Sequence, residues 1–156
     1  MKNNIGLQKV KCNEIAKQLN TLLSNYQMLY INVRGFHWNI KGSNFFELHL
    51  KFEEIYNTLQ LKIDEIAERI LTLGETPVHS YSEYIKLSEI QERTNISEGK
   101  KALNEILNSF KITISLQREI LELAGSANDE GTNALMSDYI REQEKSIWMY
   151  KAYLNQ

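Results

Sequence analysis

A single proline, Pro77, stands in the 156 residues of the chain, near its middle. Proline ends helix interiors because it lacks the backbone donor and its ring collides with the preceding turn. The residues on either side of Pro77 are therefore free to form long helices. Their apolar positions recur at three- and four-residue steps, the pattern of a helix with a buried face.

Ile15, Leu19, Leu22, Leu23, Tyr26, Leu29, Tyr30 and Val33 trace the first stripe and predict helix A from about Leu7 to Phe36, with Gly35 and Gly42 bracketing its end. Asn44 and Glu47 stand at capping-box spacing and open helix B, from about Phe45 to Leu73. Its stripe runs through Phe45, Leu48, Phe52, Ile55, Leu59, Ile63, Ile66 and Ile70. Phe46, Leu50, Leu61 and Leu71 fall on other sides, so helix B has more than one face to bury. A short helix over Glu83 to Ile90 is expected inside a long crossover. Helix C follows from about Ile96 to Ala124, opened by a second capping-box pattern, Asn95 and Glu98, and stopped at Gly125. Helix D, about Asp129 to Leu154, carries Leu135, Tyr139, Ile140, Ile147 and Trp148 on its buried side. Four long helices with short A–B and C–D links and one long B–C crossover describe an all-α, ferritin-like four-helix bundle, read as one domain over residues 1–156.

With 18 basic and 20 acidic residues the net charge is −2, so bulk charge demands neither a nucleic acid nor a membrane as partner. No run approaches the roughly 20 apolar residues of a membrane span. The lone Cys12 has no internal disulfide partner and reads as a small packed or semi-exposed thiol, and Met1 to Asn4 lack the apolar stretch of a signal peptide. A reducing, cytoplasmic setting is the expectation.

The chemistry concentrates in residues 37–68. His37, His49, Glu53, Asp64 and Glu68 are side chains of the types that bind borderline or hard divalent metals. His49 and Glu53 are four apart, as are Asp64 and Glu68, so each pair shares one helix face. Glu53 and Asp64 are separated by roughly 16 Å of helix. One ion cannot touch both pairs. A second copy lying antiparallel across a two-fold axis would bring His49 and Glu53 of one chain to Asp64 and Glu68 of the other, giving two identical intersubunit sites. Carboxylates at helical spacing are ordinarily a solvated face; two histidines in register with three acids are what point to metal. No Glu-x-x-His motif occurs in the chain, which weighs against an iron site inside one bundle.

The run His37-Trp38-Asn39, Lys41-Gly42, Phe46, Leu48-His49, Phe52-Glu53-Glu54, Tyr56, Asp64 and Ile66-Ala67-Glu68-Arg69 resembles the Dps miniferritins, the DNA protection during starvation family. The similarity continues through Gly74-Glu75-Thr76-Pro77 and Glu83-Tyr84, and returns at Glu144-Lys145, Trp148-Met149 and Lys151 to Leu154. The resemblance implies ferroxidation: two Fe(II) reduce one hydrogen peroxide, and the ferric product mineralises inside a hollow dodecamer, which protects DNA and cell from oxidative damage. It implies up to two irons per site, held by His37, His49 and Glu53 of one subunit and Asp64 and Glu68 of its two-fold mate. At the Glu53 position the family most often has Asp.

Acids at the start of helix D line a three-fold iron-entry pore in the family. Asp129 and Glu130 match them, and Asp138 is offered in place of an acid at Ala134, although acids at a helix start also answer the helix dipole. Trp38 reads as an apolar plug at the A–B corner or, beside iron, as a ring that traps a stray radical. His79 reads as a surface loop residue. Two other classes of function compete. A DNA-compacting nucleoid protein would need a lysine-rich tail, and only Lys2, Lys9 and Lys11 precede or open helix A. A helical interaction protein without metal chemistry would leave the five-residue ligand set unexplained.

Overall fold

The computed structural model describes all residues, Met1–Gln156. Five helices follow in order: α1 (Lys9–Asn39), α2 (Phe45–Thr72), α3 (Tyr81–Leu87), α4 (Gly99–Ser126) and α5 (Glu130–Tyr153). There is no strand beyond two isolated bridges, Lys2 with Gln8 and Lys41 with Glu98. The four long helices form the predicted bundle, and α3 lies in the B–C crossover. No helix is long and apolar enough to cross a membrane.

The stripes read from the sequence meet in one core. Leu19, Leu22, Leu23, Tyr26, Leu29 and Val33 of α1 pack with Phe52, Leu59, Ile66 and Ile70 of α2 and with Leu103, Ile106, Phe110 and Ile120 of α4. Met136 and Tyr139 close it from α5. Polar staples join α2 to α5: Lys62 Nζ donates to Glu142 at 2.6 Å, Tyr139 Oη to Glu65 at 2.5 Å, and Arg69 reaches Thr132 at 2.9 Å and Asp129 at 2.5 Å. Among the core side chains lies a closed polar cluster. Tyr26 donates to Gln117 at 2.5 Å and accepts from Gln143 at 2.8 Å, while Gln143 Oε1 accepts from Thr113 at 2.9 Å and Gln117 at 3.1 Å.

Helix ends differ from the sequence reading wherever a side-chain cap or a glycine stop is invoked. Asn44 makes no side-chain cap, and Glu47 instead accepts from Tyr153 Oη at 2.9 Å. Asn95 sits in a left-handed turn (φ 58), so α4 starts later and Glu98 caps it through Lys100 N. Gly35 and Gly125 both lie inside helices; after Ser126 it is Asn128 that turns left-handed (φ 57). The short helix spans Tyr81–Leu87, starting two residues and ending three residues earlier than read, between Ser80 and Ser88, both extended. Trp148, assigned to the buried side of helix D, is 68% exposed.

The residues before α1 fold back on the bundle. Asn3 Nδ2 donates to Leu73 O at 3.2 Å, and Asn3 Oδ1 accepts from Leu7 N at 2.9 Å.

Candidate metal centre

The A–B corner is short and tightly seated. Ile40 and Leu48 are buried on either side of it, Gly42 turns it at φ 109, and Lys41 N donates to Ser97 O at 2.9 Å, tying it to the approach to α4. Phe36 and Phe52 meet edge-on beneath, with ring centroids 6.1 Å apart. This packing brings the last turn of α1 against the early turns of α2. His37 and His49 are thereby stacked at 3.8 Å, 15° from parallel.

Their hydrogen bonds are reciprocal. His37 Nδ1 lies 2.6 Å from His49 O, and His49 Nδ1 lies 2.7 Å from His37 O. A carbonyl oxygen only accepts, so each Nδ1 carries a proton, which leaves Nε2 as the nitrogen that can offer a lone pair to a metal. Neither Nε2 has a partner within the chain. A ring whose Nδ1–H is fixed by a carbonyl is the arrangement in which histidine serves as an oriented metal ligand. Phe45 stacks on His49 at 4.9 Å and Tyr56 meets His37 edge-on at 5.3 Å, completing the walls.

Glu53 is half-buried one turn beyond His49 on α2, while Asp64 and Glu68 are exposed further along the same helix. None of these three carboxylates joins an ion pair within the chain. One chain brings no three of its His, Cys, Asp and Glu side chains into a group that could hold a metal ion. Imidazole nitrogens and one carboxylate thus lie toward one end of α2 and two carboxylates toward the other.

The remaining candidates separate. Asp129 is 1% exposed; it accepts from Thr132 N at 3.0 Å and pairs with Arg69, so its carboxylate caps α5 and faces inward within the chain. Glu130 and Asp138 are exposed, and Asp138 pairs with Arg141 at 2.8 Å. His79 is exposed in its loop, with Nδ1 2.9 Å from Pro77 O. Cys12 is buried at 1% exposure. Trp38 is no core plug in this chain: it is 60% exposed, and the Arg34 guanidinium lies 5.2 Å over its ring. Arg34 had no role in the sequence reading, and Tyr56 entered it only as part of the motif that carries the resemblance. The signal was present in the spacing, since Arg34 precedes His37 and Trp38 by three and four residues.

A model of the ferritin-like domain matches residues 16–156. A DNA protection during starvation protein of Porphyromonas gingivalis is 42% identical over 148 residues, covering 95% of this chain and 93% of its own. A Dps protein crystal structure from Vibrio cholerae, described as a member of a broad superfamily of ferritin-like diiron-carboxylate proteins, superposes with a TM-score of 0.97 at 56% identity, over 98% of this chain and 96% of that one. Dps from Staphylococcus aureus superposes with a TM-score of 0.88 at 33% identity, over 91% and 95%.

Proposed function

Since the chain belongs to the ferritin-like domain family, in its Dps branch, we propose that it is an iron-sequestering ferroxidase whose sites are completed between two copies. His37, His49 and Glu53 of one copy and Asp64 and Glu68 of its two-fold mate bind Fe(II) as substrate, up to two ions per site. The observation that carries this reading is the reciprocal histidine pair, which leaves two oriented Nε2 lone pairs and no full ligand set within one chain. Carboxylates brought together in a partly desolvated interface repel one another, and divalent cations relieve that repulsion.

Two Fe(II) and one hydrogen peroxide, with two protons, give two Fe(III) and two waters. Drawing both electrons from paired irons avoids the one-electron cleavage of peroxide that releases hydroxyl radical. The ferric product is stored as mineral within a hollow dodecamer, and DNA and protein are spared both Fenton reagents. Glu53 is one methylene longer than the aspartate usual at its position, so the second iron is held more weakly than the first. Glu130 and Asp138 are the acids available for an entry route. The folded-back residues before α1 support this reading over a DNA-compacting protein with a free lysine tail.

Anaerobic loading with two Fe(II) per subunit, then one peroxide per two irons, tests the proposal through ferric absorbance. Rapid, complete oxidation at that ratio, much faster than with dioxygen, is the expected result. Oxidation no faster than in buffer would reject it.

A further inference from the structure

Beside the histidine pair lies a cationic feature that iron binding does not use. Arg34 projects from α1 between three aromatic rings, with its guanidinium carbon 5.2 Å from the Trp38 ring, 5.4 Å from Tyr56 and 5.7 Å from Tyr30. Its Nη1 donates to Tyr30 Oη at 2.8 Å. Its Nε is the one buried side-chain nitrogen or oxygen in the chain without a hydrogen-bond partner. None of the ion pairs includes Arg34. A buried polar atom left unsatisfied costs stability, so this placement calls for a reason.

The rings are connected to the candidate centre. Tyr56 lies 5.3 Å from His37, Tyr30 lies 6.0 Å from Tyr56, and Trp38 follows His37 in sequence. Electron-rich rings this near an iron site are the first groups a stray oxidant meets. Removing an electron from a ring creates positive charge, and a guanidinium over the face opposes that charge at short range. The guanidinium also cannot accept the proton that an oxidised Tyr30 must release. Both effects make the rings harder to oxidise.

We propose that Arg34 is a positioning residue for redox chemistry: its charge over Trp38, Tyr30 and Tyr56 raises the potential at which they lose an electron, so that oxidants weaker than hydroxyl radical take one from them more slowly. The inference rests on the ferroxidase reading for the source of that oxidant. A single Fe(II) meeting peroxide gives Fe(III), hydroxide and hydroxyl radical. Trp38 then transfers one electron to the radical, forming hydroxide, and its indole N–H proton converts that hydroxide to water, leaving a neutral indolyl radical. Weaker oxidants formed in ordinary turnover take an electron from the rings more slowly than they would without the charge.

The test is made on assembled, iron-free protein in a Trp148→Phe background, which leaves Trp38 as the only tryptophan. A photogenerated ruthenium(III) oxidant of fixed potential is used, and the rate of indolyl radical formation is read by transient absorbance. Arg34→Gln, which removes the charge, is expected to raise that rate by about tenfold; Arg34→Lys, which keeps it, stays near the parent. Arg34→Met serves as the neutral variant if Arg34→Gln fails to assemble. Equal rates in parent and neutral variant overturn the proposal, as does Arg34→Lys behaving like the neutral variant. Because no iron is present, this result is independent of the ferroxidase reading. With Fe(II) and peroxide, the neutral variant is expected to accumulate several-fold more protein radical by electron paramagnetic resonance. A normal iron-free shift in a protein that fails to oxidise Fe(II) rejects the reading of the site instead, and with it the source of the oxidant.

Discussion

Two polar regions of this bundle have opposite characters. At its centre, Tyr26, Thr113, Gln117 and Gln143 are all buried, carry no formal charge and satisfy one another. At the A–B corner, His37 and His49 spend one nitrogen each on the other's backbone and leave the second open, while Arg34 keeps a buried N–H unpaired. The central cluster is closed, and its amide and hydroxyl groups are poor ligands for iron. The corner is unfinished within one chain. In a four-helix bundle, then, the deepest polar site need not be the reactive one; the number of groups left without a partner separates structure from chemistry.

The largest expected effect breaks the corner without touching the centre. Glu68→Ala is expected to lower peroxide-dependent Fe(II) oxidation by on the order of 100-fold, with the assembled mass unchanged in light scattering. A near-parent rate would remove Glu68 from the site. The converse is Gln143→Ala, which takes one partner from each of the hydroxyls of Tyr26 and Thr113 and strands the amide nitrogen of Gln117. Denaturant unfolding should show a loss of about 2–4 kcal/mol, with the rate of iron oxidation per folded subunit unchanged. A large change in that rate would mean that the two regions are not independent.

Asp129→Asn should be felt as stability more than as iron entry. Its carboxylate is buried against Arg69, and stranding that guanidinium costs about 3 kcal/mol. A Glu130→Gln variant carries the test of entry: slower iron uptake with normal stability supports a channel role for that acid.

A smaller effect comes with alkali. Burial pushes the Tyr150 phenol up to about 12, and burial also raises Tyr26 and Tyr139, the latter helped by its hydrogen bond to Glu65. Raised folded values mean that the neutral phenols favour the native state. Their contribution is complete below the unfolded value near 10, declines as the unfolded chain ionises above it, and is lost as pH rises through the folded values. Thermal stability should therefore fall from about pH 10 upward. Tyr150→Phe should flatten that decline, and an unchanged pH profile would count against its burial as the cause.

Much of this was legible in the sequence. The bundle and the short crossover helix follow from periodicity and one proline, because these depend on neighbours in the chain. What was misread depends on partners far along it. Glu47 is drawn to Tyr153 instead of capping α2. Asp129 looks like a surface acid until Arg69, sixty residues earlier, is seen beside it. Trp38 and Trp148 look like core because tryptophan usually is, yet both project outward from this chain. His37 and His49 were both singled out as candidate ligands, but their stacking and reciprocal bonding need the corner's three-dimensional closure.

That closure couples the two rings thermodynamically. Each imidazole donates to the other's backbone carbonyl, so replacing either one frees a carbonyl and takes away the ring stacked on its neighbour, while the neighbour keeps its own bond to the backbone. In a double-mutant cycle, His37→Ala and His49→Ala should be strongly non-additive in metal affinity, the second substitution costing far less than the first. The pair then behaves as one indivisible ligand, and a lineage that lost either histidine would have little left to preserve in the other.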